Sequence, residues 1–175
     1  NYNLASVNLS ALTSANSFLL SNSNAITSIA LPVLNSVNIG IIIGGNSLLN
    51  TISLPLLSSI GNFNIQNNAS LAGISFPSLT SISNAQNGSY IINNSNLTSI
   101  TFNNLATFSN QAFGCQGNKL PSAQVNNLLN KFVSIIPLLT YRDFDFRQTS
   151  AAPPTGQGIT DKTTLELRPN VVYTD

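Results

Sequence analysis

The chain has 175 residues, of which 42% are hydrophobic and only 6% charged, with a net charge of +1. A typical soluble protein has about a quarter of its residues charged, whereas here Asn1 to Asn118 contains no Asp, Glu, Lys, Arg or His at all. Over that length the sequence excludes acid–base and metal chemistry, which need carboxylates, imidazoles, amines or thiolates, and phosphate or nucleic-acid binding, which needs Lys or Arg.

One pattern recurs along this uncharged stretch. It reads LASVNLSALTSA from Leu4, ITSIALPVLNSV from Ile26, LNTISLPLLSSI from Leu49, LAGISFPSLTSI from Leu71 and LTSITFNNLATF from Leu97. Successive units start 22 or 23 residues apart, except for one of 26 residues between Leu71 and Leu97. The shared form is L-x-S-I-x-L-P-x-L-x-S-I, followed by a looser half that ends in Asn and Ser. Self-similarity at this period indicates a stacked-repeat architecture.

Each recurring slot has a physical task. Leu49, Ile52 and Leu54 are spaced for a short strand, since period two sends alternate side chains to one face. Pro32, Pro55 and Pro77 follow that strand and end it. Leu57 and Ile60 add a second apolar pair. One unit cannot bury its apolar edge alone; stacked units bury it continuously, each against its neighbours. The stacking predicts one buried column of Ile29, Ile52, Ile74 and Ile100. It predicts outward columns of Ser6, Ser28, Thr51, Gly73 and Ser99, and of Ser14, Ser36, Ser59, Ser81 and Thr107. The hydroxyls of Ser28, Thr51, Ser53, Ser75, Ser99 and Thr101 form the candidate binding face. Asn22, Asn67 and Asn93 take a turn position, where amides satisfy backbone groups. Neutral side chains stack without the repulsion of a like-charge ladder.

After Leu120 the pattern changes. Ser122 is placed as the N-cap of a helix AQVNNLLNKFV, with Val125, Leu128, Leu129 and Phe132 on one face. Leu139 to Arg147 reads as a strand, with Asp143 and Asp145 alternating to solvent against Phe144 and Phe146. A Pro/Gly loop over 149–158 precedes a helix from Asp161 to Arg168, with Thr160 as its cap and Pro169 forcing its end. Val171 to Thr174 reads as a last strand. Solenoid ends expose core and need polar closure, which accounts for the charges gathering here.

The repeats resemble bacterial surface-antigen leucine-rich repeats of the BspA-like kind, which read L-x-x-I-x-I-P-x-x-V-x-x-I and end A-F-x-x-C. Gln111-Ala112-Phe113-Gly114-Cys115 is close to that ending, and Cys115 is expected where other units carry Asn. The closing segment is similar to those of phage and bacterial-surface repeat proteins. The resemblance covers residues 4 to 119, and the near-total lack of charge departs from it. It implies a leucine-rich-repeat-like β-solenoid of about five repeats of 22–26 residues with a parallel sheet over 1–119, closed by a small α/β cap over 120–175.

No motif points to a reaction. Cys115 is the sole cysteine, so an intrachain disulfide is impossible, and without a His it has no partner as a nucleophile. Asp143, Asp145 and Asp161 lack the further ligands and Gly turn of a calcium loop. Gly40, Gly44 and Gly45 are not followed by the helix and acid of a dinucleotide site. Nothing approaches the roughly 20 apolar residues of a membrane span. With no basic residue before Lys119, no leader and no Met, Trp or His, the composition suits an oxidising, protease-rich exterior and a mature or excised chain. The expectation is a non-enzymatic structural or recognition module without cofactor on an extracellular or virion surface. A phage virion component, either a capsid decoration or a fibre, comes first, with a bacterial cell-surface adhesin or glycan-binding repeat protein as the alternative. Its expected partners are other subunits of an assembly, a host receptor or a glycan, with no nucleic acid and no membrane span.

Overall fold

The second and third repeat units each close into a coil carrying a short strand and a long one; the first carries only the long strand, and in the fourth and fifth the long strand is broken in two. A computed structural model describes residues 4–175; the first three residues of the predicted 1–119 solenoid lie outside the described residues. The first coil contributes β1 (Ser14–Ser21); β2 (Ser28–Ala30) and β3 (Ser36–Gly44) follow, then β4 (Thr51–Ser53) and β5 (Ser59–Gln66). The long fourth unit holds β6 (Gly73–Ser75), β7 (Ser81–Ile82) and β8 (Ser89–Ile92), and the fifth holds β9 (Ser99–Thr101), β10 (Thr107–Phe108) and β11 (Ala112–Gly114). The cap adds α1 (Ser122–Val133), β12 (Asp143–Asp145), α2 (Gln157–Glu166) and β13 (Val171–Tyr173). The whole is a parallel β-solenoid of about four turns with a small α/β cap.

The broad sheet has nine strands, in the order β1-β3-β5-β8-β11-β12-β13, with β7 and β10 alongside. The short strands pair only in twos, β2 with β4 and β6 with β9. The longest strands therefore lie in the looser half of the unit, where the sequence suggested mainly turns. Their signal was present but diluted: Phe18 and Leu20, Ile41 and Ile43, and Phe63 and Ile65 alternate inward with period two and are buried, while the outward positions mix Ser17, Asn38, Asn62 and Asn64 with the exposed Leu19, Ile39 and Ile42.

Register confirms the stacking slot by slot. Ser14, Ser36, Ser59, Ser81 and Thr107 are laterally paired in succession. Ile29 pairs with Ile52 and Ile74 with Ile100, and all four are buried. Ser6 lies before the first strand, in a segment without regular structure. Later in the stack the core becomes aromatic. The rings of Phe63 and Phe76 stack at 5.4 Å, and those of Phe76 and Phe102 at 5.3 Å. Phe113 on β11, Phe132 on α1, and Phe144 and Phe146 from the cap continue the cluster, with Phe113–Phe132 centroids 4.8 Å apart and Phe132–Phe144 5.0 Å apart.

At the corner after each long strand the chain turns through a left-handed residue and then buries an amide. Asn22, Gly45, Asn67, Asn93 and Gly117 have φ between 54° and 71°, a region that Gly and Asn enter most readily. The next residues, Ser23, Asn46, Asn68, Asn94 and Asn118, are buried. The backbone N–H groups of Ser23, Asn46, Asn68 and Asn94 each donate to the Asn side-chain oxygen one coil on, at 2.8–3.2 Å. The Asn side-chain N–H groups donate forward to the next amide and back to a carbonyl of the preceding coil. Gln148, one methylene longer, ends the row: its oxygen accepts from Leu120 N and its amide donates to the Cys115 carbonyl.

The cap differs from expectation in its boundaries. α1 begins at Ser122, so Pro121 takes the cap position with no side-chain cap bond, while Val125, Leu128, Leu129 and Phe132 are buried as read. The strand over Leu139–Arg147 shrinks to β12 because Tyr141 at φ 56° breaks the extended run. α2 starts four residues early, after Gly156 at φ 50°, so Thr160 lies inside it. Asp143 is exposed and Asp145 half-buried, with Phe144 and Phe146 fully buried between them. Asp161 is buried, accepting from Asn130 of α1 at 3.2 Å and Gln157 at 2.9 Å, so it ties the two helices together.

Two expectations test this account. Ile52→Ala should lower unfolding free energy by roughly 2–5 kcal/mol in urea melts, the range for large-to-small core changes; a loss below that range would show that the isoleucine column carries little of the core. Adjacent asparagines should also behave differently. Asn68→Ala strips the Asn46 N–H of its acceptor and the Ile43 carbonyl of a donor and should cost about 2–5 kcal/mol, at about 1–3 for each buried group left unmade. Asn67→Gly, at a left-handed position, should be nearly neutral; equal losses at the two sites would refute the division of labour.

Candidate functional site

The solenoid presents two neutral faces. On the short-strand side, Ser28, Thr51, Ser53 and Ser75 are exposed, while Ser99 and Thr101 are half-buried. Register places Ser28 beside Thr51, and Ser99 beside Gly73. Thr101 donates to Ser75 Oγ at 2.8 Å and Thr51 to Asn50 at 2.8 Å. The structure thus brings the six predicted residues to one side, in two separate pairs of strands rather than one continuous array. Thr101 also borders a hollow of about 200 Å³ shared with Ile100, Phe102, Asn103, Asn127, Leu128 and Lys131.

The broad sheet bears a larger feature. A groove of about 550 Å³ runs across the strands, from Ser17 and Leu19 on β1 to Gln111 before β11. One end is apolar, walled by the exposed Leu19, Ile39 and Ile42. The other is polar, with Asn62, Asn64, Gln86, Asn87 and Gln111 around Tyr90. Every lining residue is uncharged. Gln86, Asn87 and Gly88 belong to the segment between β7 and β8, where the fourth unit is longer than the others, and this insertion forms one side of the groove.

Two glycines govern the pose of Tyr90. A Cβ at Gly88 would collide with the phenol end of the ring, and one at Gly114 would lie 2.9 Å from Cδ1 on the opposite ring edge. Gly88 and Gly114 lie on different coils, so the ring lies along the sheet surface over both. The half-buried Tyr90 lines the groove. Any larger side chain at either glycine would tip the ring upright.

The amides of this protein fall into two sets. Asn46, Asn68, Asn94 and Asn118 spend their donors and acceptors inside the stack. Among the described residues, the side chains of Asn62, Asn64, Gln86, Asn87 and Gln111 make no hydrogen bond within the chain, and the buried Asn64 oxygen has no partner at all. The exposed side chains of Gln86, Asn87 and Gln111 therefore keep their donors and acceptors free for a partner from outside. Sequence reasoning missed Tyr90 and these amides. The available signal was the extra length between Leu71 and Leu97.

Cys115 is fully buried, but not at an Asn position. The pairing of Gly114 with Tyr90 sets it beside Ile91, in the inward column of Ile43, Ile65 and Ile91, and Asn118 takes the Asn place instead. Burial pushes its thiol far above the usual range, and the nearby Asp145 charge adds to this against an opposing Gln148 contact. The other charges of note are at the far end of the sheet, where Asp145 and Arg147 pair at 2.6 Å and the Arg147 guanidinium lies 5.1 Å from the Tyr173 ring centroid. No helix among the described residues is long and apolar enough to cross a membrane.

Comparison with protein-family models, curated proteins and solved structures yields no match to this chain.

Because the thiolate is the reactive form, Cys115 should resist thiol reagents in the native protein and react at once in denaturant. Native labelling as fast as denatured labelling would contradict its placement in the core.

Proposed function

We propose that this chain is a non-enzymatic recognition and structural module of an external surface, in the first place a virion component such as a capsid decoration or fibre, presenting a neutral sheet face for assembly or host attachment. One observation carries the reading: the groove across the broad sheet is lined entirely by uncharged side chains, several of them amides with free hydrogen-bonding capacity. Such a face associates through packing and hydrogen bonds, without long-range steering. The absence of Asp, Glu, Lys, Arg and His from Asn1 to Asn118 supports the non-enzymatic part, as does the burial of Cys115, which pushes its thiol far above the usual range. The resemblance to BspA-like leucine-rich repeats belongs to the same proposal. A cell-surface adhesin that binds glycan is the second reading, favoured by Tyr90 beside amides.

Antibody against the chain should label intact particles or unpermeabilised cells; a chain found only inside the cell would overturn the placement. Association of the purified chain with those particles or cells should also change little between low and moderate salt, or from about pH 5 to pH 9, because ions screen charges over about 10 Å at 0.1 M and leave neutral contacts alone. A steep loss with salt would move the interface to the cap, with Arg142, Asp143, Asp145 and Arg147.

A further inference from the structure

We infer that the groove is a binding site for a neutral polysaccharide, with Tyr90 as its stacking platform. This deepens the recognition reading above and rests on it.

The argument starts from the ring. An aromatic side chain pressed down over Gly88 and Gly114 offers a flat, fixed face at little conformational cost. The faces of a sugar ring present C–H groups, which pack on such a surface as other apolar groups do. Around the ring are Asn62, Asn64, Gln86, Asn87 and Gln111. A side-chain amide both donates and accepts, and so does each sugar hydroxyl, so adjacent hydroxyls pair with amides in either sense. None of these amides is committed to the protein, and those of Gln86, Asn87 and Gln111 are exposed. Leu19, Ile39 and Ile42 extend the groove with apolar surface.

Charge and length narrow the ligand further. No cation is present to hold a uronic acid, sulfate or phosphate, and no carboxylate to hold an amine; a neutral ligand fits the charge of the site. The groove crosses the coils of β1, β3, β5, β8 and β11, which at about 4.8 Å per strand is about 19 Å. That accommodates a run of sugar units along the solenoid axis rather than a single monosaccharide.

The test is affinity electrophoresis of the full chain through gels carrying soluble α-glucan, β-glucan, mannan, xylan or galactan, each a neutral polymer. At least one should retard the protein, and retardation should persist when salt is raised. The same polymer should perturb tyrosine fluorescence, which is not masked because the chain has no Trp. Tyr90→Ala should weaken binding about tenfold or more, and Tyr90→Phe, which keeps the ring, should bind within a fewfold of the native chain. Gln86→Ala with Gln111→Ala, at exposed side chains with no bonds to the protein, should also weaken it at unchanged melting temperature. Absence of retardation by all five polymers overturns the inference, as does binding unaffected by Tyr90→Ala. If no polymer binds but the chain still associates with particles independently of salt, the recognition reading stands and the glycan assignment alone falls; a neutral peptide segment is then the occupant. Loss of both results removes the two together.

Discussion

The stack depends on one buried amide per coil. At each corner the chain must reverse direction with its backbone polar groups out of reach of water and out of register with either sheet. An unpaired buried N–H costs about 1–3 kcal/mol, as much as or more than a hydrogen bond contributes net. Asn46, Asn68 and Asn94 resolve this because one short side chain accepts from the coil before and donates in both directions, and Asn118 accepts in the same way and donates to the Ile91 and Cys115 carbonyls. No charged residue would do so. Carboxylates at these positions would be like charges in a dry row at coil spacing, and each would lack the donor that reaches the preceding carbonyl. The left-handed residue before each amide sets its direction, and the inward aliphatic and aromatic columns then stack because the corners are fixed.

Neutrality within the corners is matched by neutrality outside, and the two have different consequences. Inside, it is a condition of stacking. Outside, it leaves a sheet face whose amides have nothing to bind within the protein. The charges permitted in the cap mark the place where stacking ends: Asp145 and Arg147 neutralise each other on the sheet surface, and Asp161 is held between two helices by amide donors.

Much of this was legible in the sequence where a slot repeats with the same chemistry. The serine column from Ser14 to Thr107 and the isoleucine column from Ile29 to Ile100 follow directly from alignment of the units with one another. The long strands were harder to see, because their outward positions mix Asn and Ser, residues that on their own suggest turns, with exposed Leu19, Ile39 and Ile42, which blur the inward alternation. Cys115 was misplaced because the short A-F-x-x-C match was set against the turn asparagines; counting back from Asn118 puts it three residues earlier, among the isoleucines. In the cap, Tyr141 and Gly156 changed the element limits through backbone conformations that side-chain periodicity does not reveal. Tyr90 was invisible for another reason: its role arises from Gly88 on its own strand and Gly114 a coil away, a relation that exists only after the chain has stacked.

Since each buried amide contacts only the coil on either side, a coil is an interchangeable part. Gln148 closes the last coil through a backbone carbonyl and a backbone N–H of that coil, and is itself held by the Phe146 carbonyl and the Asp175 carboxylate of the cap. Duplicating or deleting a whole unit within the row leaves both ends unaltered. The reach of the outer face along the axis is then a quantity that gene-level repetition can lengthen or shorten in steps of one strand, each coil adding its own outward side chains.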